Sequence, residues 1–116
     1  MRNKFIVLGA FLETLALLGF LMPSPLLGIL QVNTAINLAH LASGGLALVS
    51  AFRGIGPMRL CGRILGFGYL LLAIVGFAAP EYDWFAFVAL DSVANGLHLA
   101  LALSFLYYAF LASPTP

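Results

Sequence analysis

The chain has 116 residues, a net charge of +1, 63% hydrophobic residues and only 8% charged ones, with a mean hydropathy of +1.09. Ordinary soluble domains carry about 25% charged residues, and a chain this short could not hide so much apolar surface inside itself. A soluble fold is excluded, the charge balance argues against a nucleic-acid partner, and the single Cys61 rules out an intramolecular disulfide.

The length suits one domain. Arg2 and Lys4 precede an apolar run from Phe5 to Met22, which resembles a signal peptide. Glu13 interrupts that run and no small-residue cleavage site precedes Pro23, so a retained first transmembrane helix is expected over 4–22. Pro23 ends it. Ser24-Pro25 has the form of an N-cap with proline at the first helical position, which predicts a second helix over 25–52. That is roughly 28 residues, or about 42 Å, against a bilayer core of about 30 Å. Such a helix must tilt, break near Gly28 or emerge. Arg53-Gly54-Ile55-Gly56-Pro57-Met58-Arg59 is a basic turn rich in breakers. A third helix follows over 60–79, stopped by Pro80. Asp83 is placed to cap a fourth over 84–111.

All five basic residues (Arg2, Lys4, Arg53, Arg59 and Arg63) fall at one end of such a bundle. The opposite loops, 23–30 and 80–85, contain no Lys or Arg. The positive-inside rule then predicts both termini in the cytoplasm, with the chain in a cytoplasmic (inner) membrane. Tyr82 and Trp84 suit the outer interface, and Tyr107 and Tyr108 the inner one.

The stretch Asn33-Thr34-Ala35-Ile36-Asn37-Leu38-Ala39-His40-Leu41-Ala42 returns 58 residues later as Asp91-Ser92-Val93-Ala94-Asn95-Gly96-Leu97-His98-Leu99-Ala100. Gly19-Phe20 aligns with Gly76-Phe77, Pro23 with Pro80, and Gly9 with Gly66, each 57 apart. The unit is a two-helix hairpin used twice, which puts a pseudo-two-fold axis along the membrane normal. The expected fold is an all-α integral membrane four-helix bundle with helix two diagonal to helix four. Gly62 and Gly66 form a GxxxG pair, and with Gly44, Gly45, Ala42, Ala100 and Ala102 would let helices pack closely.

The run VNTAINLAHLASGGLAL, the basic turn, GRILGFGYLLLAIVGF and the closing ANGLHLALAL resemble an uncharacterised prokaryotic membrane family, domain of unknown function 4383. The resemblance spans nearly the whole chain and rests on the doubled Asn-x-x-His. It implies a four-helix membrane protein and supplies no activity or catalytic residues.

Asn33, Asn37 and His40 stand at i, i+4 and i+7, as do Asp91, Asn95 and His98, so each set lines one helical stripe. Glu13 falls near the middle of helix one, and its repeat equivalent is Leu70. Facing lipid costs a charged group roughly 2.5–3.5 kcal/mol, so a buried polar cluster of Glu13, Asn33, Asn37, His40, Asp91, Asn95 and His98 is expected. Its plain role is interhelical hydrogen bonding, at about 0.6–2 kcal/mol each. Two diagonal imidazoles at one depth could instead hold a haem or, through one His, a chlorin. Glu13, the His pair and Asp91 could relay protons along half the bundle. Two His with Glu13 is a legal zinc set, without supporting local spacing. Ser43, Ser104 and Cys61 form no recognised nucleophile signature, so catalysis is not expected, and neither is a bound metal.

The expectation is a non-enzymatic structural or accessory subunit of a larger membrane complex, with no cofactor required. Its partners are the lipid bilayer and either other membrane subunits or further copies of the chain. A haem- or chlorin-ligating role through His40 and His98 comes second, and a proton-handling role third. The apolar run Leu26-Leu27-Gly28-Ile29-Leu30 is either the first turns of a long helix or a patch for another subunit.

Overall fold

The computed structural model describes residues 1–79 and 87–113. Four helices run up and down: α1 (Arg2–Leu21), α2 (Thr34–Ala51), α3 (Ile55–Ala78) and α4 (Ser92–Leu106), the last continued by a π-helical turn, Tyr107–Leu111. Each span is long and apolar enough to cross a membrane. At 1.5 Å per residue α2 is about 27 Å long and α3 about 36 Å. No strand occurs among the described residues. The outward faces are apolar, with Val7, Leu17, Leu46, Leu71 and Leu103 all more than half exposed.

The second helix starts nine residues later than expected, at Thr34 rather than Pro25. Leu27 and Gly28 both take positive φ, 53° and 77°, which no helix accommodates. Leu26 and Leu30 hydrogen-bond to each other in both directions. Ser24 is no helix cap: its Oγ accepts from Val32 N at 3.1 Å and donates to Gln31 Oε1 at 3.0 Å. The segment is therefore a tight, internally hydrogen-bonded loop. Its apolar run divides, with Leu26 and Leu30 buried and Leu27 and Ile29 exposed.

The fourth helix also starts late, at Ser92. Asp83, Tyr82 and Trp84 lie outside the described residues, as does the expected helix start at 84. The third starts early, because Pro57 needs no hydrogen-bonding N–H in a first turn.

Two apolar clusters close the bundle. One, at the end carrying the basic residues, joins Met1, Phe5, Ala51, Met58 and Phe105; the other, at the loop end, joins Leu26, Leu30, Val32, Ile36, Ala89 and Ala94. Phe5 of α1 meets α4 edge-on, 5.9 Å from Phe105 and 6.1 Å from Tyr108.

Arg59 does more than add charge. Its guanidinium donates to the carbonyls of Tyr108 (3.4 Å), Ala109 (3.0 Å) and Ala112 (3.0 Å), tying α3 to the last turn of α4. Carbonyls there lack amide partners, and a cation also suits the negative helix end. Arg63 sits over the Phe110 ring, 5.2 Å from its centroid. Arg59→Gln is expected to fray this end. Hydrogen exchange at Ala112 N, which bonds Tyr107 O, should quicken roughly tenfold or more. Unchanged exchange there would show the arginine to be idle.

Candidate functional site: a buried imidazole–phenol centre

The doubled motif splits into three layers with different jobs. Asn33 and Asp91, expected in the buried cluster, are N-caps. Asn33 Oδ1 accepts from Ile36 N at 3.1 Å, and Asp91 Oδ1 from Ala94 N at 2.7 Å. Each satisfies one of the donors that a helix start leaves open. Asp91 Oδ2 also accepts from Gln31 N at 3.2 Å, joining the two loops across the hairpins.

One turn further in, Asn37 and Asn95 are buried, but they point sideways within their own hairpins rather than at the bundle axis. Asn37 packs on Gly19 and Asn95 on Gly76, so closely that a Cβ at either glycine would fall on the amide oxygen. Neither oxygen makes a hydrogen bond within the chain; the glycine Cα–H is the donor it faces. Glu13 behaves likewise: its carboxylate packs on Gly44 of α2, one turn beyond His40 toward the basic end. Glu13 Oε1 is buried and makes no hydrogen bond.

The third layer alone faces the axis. His40 and His98 are 1% and 0% exposed, with ring centroids 6.1 Å apart. Because α2 and α4 start late, both rings sit six residues below a helix start, about 9 Å. Tyr69 of α3, 3% exposed, completes a triangle at 6.4 Å from His40 and 5.5 Å from His98. The phenol is stacked in turn on Phe105, at 6.5 Å. Neither imidazole makes a hydrogen bond through either nitrogen, and the Tyr69 hydroxyl makes none of good geometry.

Other hydroxyls in the helices are satisfied at home. Thr14, Ser50 and Ser104 each donate to a carbonyl three or four residues back. Ser43 instead stands beside the Tyr69 hydroxyl. The zinc set of Glu13 and two His is not assembled: no group of three His, Cys, Asp or Glu that could hold a metal occurs among the described residues. Sequence reasoning missed Tyr69, whose repeat equivalent is Leu12, so no doubled motif marked it.

Of the small residues expected at contacts, Gly62 and Gly66 pack on α4 against Phe105, Leu106 and Ala109, and Ala102 is buried. Ala42 and Ala100 face outward instead.

Four apolar spans around a buried polar centre define a small helical membrane protein. Residues 2–111 match the family described as Domain of unknown function (DUF4383), and the chain belongs to it. No curated protein and no solved structure matches the chain.

Proposed function

We propose that the protein is a non-enzymatic accessory subunit of a larger membrane complex, assembled from two tandem hairpins. One observation carries this reading. The chemistry-bearing side chains are turned inward between two apolar plugs, while the helices offer apolar faces to their surroundings. The tandem repeat is supported by matched contacts. Gly19 meets Asn37 as Gly76 meets Asn95, and Gly9 meets Leu48 as Gly66 meets Leu106. The arginines and Lys4 of the basic end favour the cytoplasmic side of the membrane, and the resemblance to a prokaryotic family favours the inner membrane of such a cell.

A haem or chlorin fits the centre less well than the sequence suggests. Tyr69 stands close to both imidazoles, where the plane of a macrocycle held between them would pass. A proton path meets an apolar plug at each end.

The test is native electrophoresis of gently solubilised membranes, followed by an absorbance spectrum of the isolated band. The expected result is a colourless assembly several times the 12.3 kDa of the chain. A band at monomer mass overturns the subunit reading. A Soret band lost in both His40→Ala and His98→Ala installs the cofactor reading in its place.

A further inference from the structure

We infer that the seam between α2 and α3 binds a neutral, lipid-soluble carbonyl compound of the quinone kind, with its carbonyl against Ser43 and its ring beside Tyr69. The seam holds a groove of about 250 Å³. Its walls are Ile64, Leu65 and Leu72, its mouth is flanked by Ala39 and Gly68, and Ser43 and Tyr69 lie within it. Gly68 and Ile64 are exposed, so the mouth opens on the lipid side.

Three observations select the occupant. First, a donor lines the groove unpartnered. Ser43 is 7% exposed and, unlike Thr14, Ser50 and Ser104, does not donate to its own helix. The Tyr69 hydroxyl is buried, and its ring neighbours the unpartnered imidazoles of His40 and His98. A ligand oxygen that accepts would meet the Ser43 hydrogen.

Second, depth excludes charge. Tyr69 lies fourteen residues into α3, about 21 Å from the basic end. An ionised head would pay roughly 2.5–3.5 kcal/mol to sit there, whereas a carbonyl carries no such penalty.

Third, size and continuity fit a ring with a tail. Drug-sized pockets run about 300–1,000 Å³, so this groove suits a single ring. A second groove of about 230 Å³ continues along the same seam past Ile64 and Leu65 to Leu46, Val49 and Leu60. That is an apolar channel for a hydrocarbon tail. A phospholipid seated with its head near Arg53 would instead bring methylenes to Ser43 and leave its hydroxyl unmet.

The probe is decylubiquinone, added to the full chain in detergent with its tyrosine rings labelled with carbon-13. The chain has four tyrosines, so the readout is site-resolved. Tyr69 should shift saturably while the other three stay still. Gly68→Leu, at a position where a side chain meets nothing within 4 Å, should weaken binding at least tenfold with helix content unchanged. Ala39→Leu blocks the opposite wall and should do the same, which guards against a folding defect in either variant. Ser43→Ala should weaken binding roughly three- to tenfold, the worth of one hydrogen bond. An unmoved Tyr69, or all four tyrosines drifting without saturation, overturns the proposal. So does full affinity in both groove-filling variants. Full affinity in Ser43→Ala means that a hydrocarbon chain fills the seam and no carbonyl is recognised there, which also overturns it.

Discussion

Gly62→Ala is expected to destabilise the bundle by about 1–3 kcal/mol, the usual cost of overpacking. A Cβ at Gly62 would lie 2.8 Å from the Phe105 carbonyl oxygen and 3.1 Å from Ala109 Cβ. Neither atom can rotate away, because one is backbone and the other is fixed to it. α3 and α4 would have to separate at the place where Arg59 also ties them. Gly68→Ala is the control on the same helix. It has open space and should gain up to about 1 kcal/mol, since alanine is the better helix former. Reversible unfolding in mixed micelles measures both. Equal stability of the two variants would mean that α3 does not approach α4 as described.

The second large effect is a coupling. Gly76→Ala alone should cost about 1–3 kcal/mol, because the new methyl falls on the Asn95 amide. Asn95 is only 6% exposed. Gly76→Ala combined with Asn95→Ala removes the overlap. The double variant should therefore be more stable than the sum of the single effects predicts, by about 0.5–3 kcal/mol. The pair Gly19→Ala and Asn37→Ala should couple with the same sign, since the contact is matched in the first hairpin. Additivity at both pairs would show that the two amides are not seated on those glycines.

The number of spans and the clustering of basic residues at one end were legible in the sequence, because length and apolar content decide whether a segment can cross a bilayer. Helix starts were less so. The run from Leu26 to Leu30 is as apolar as a helix, and only the left-handed turn at Leu27 and Gly28 breaks it. Asn33 and Asp91 carried a capping signal, an Asn or Asp ahead of an apolar helical run. Their i, i+4, i+7 spacing with Asn37 and His40, or Asn95 and His98, drew them into a stripe instead. Gly19 and Gly76 held the clue that the amides turn sideways: a glycine recurs at nearly the same offset as the amide that packs on it. Tyr69 carried no such mark. A phenol in an apolar helix is ordinary, and only the meeting of three helices makes it a neighbour of both imidazoles.

The bond from Gln31 N to Asp91 Oδ2 has a consequence for biogenesis. A ribosome makes the first hairpin, loop included, before the helix that Asp91 caps. Until translation reaches Asp91, the Gln31 amide lacks this acceptor, and the loop that carries the Leu26 and Leu30 plug has one anchor fewer. Closure of that end of the bundle therefore waits on its last-made helix, and a chain stalled after the basic turn would expose the His40 imidazole of its first half to lipid or to a chaperone.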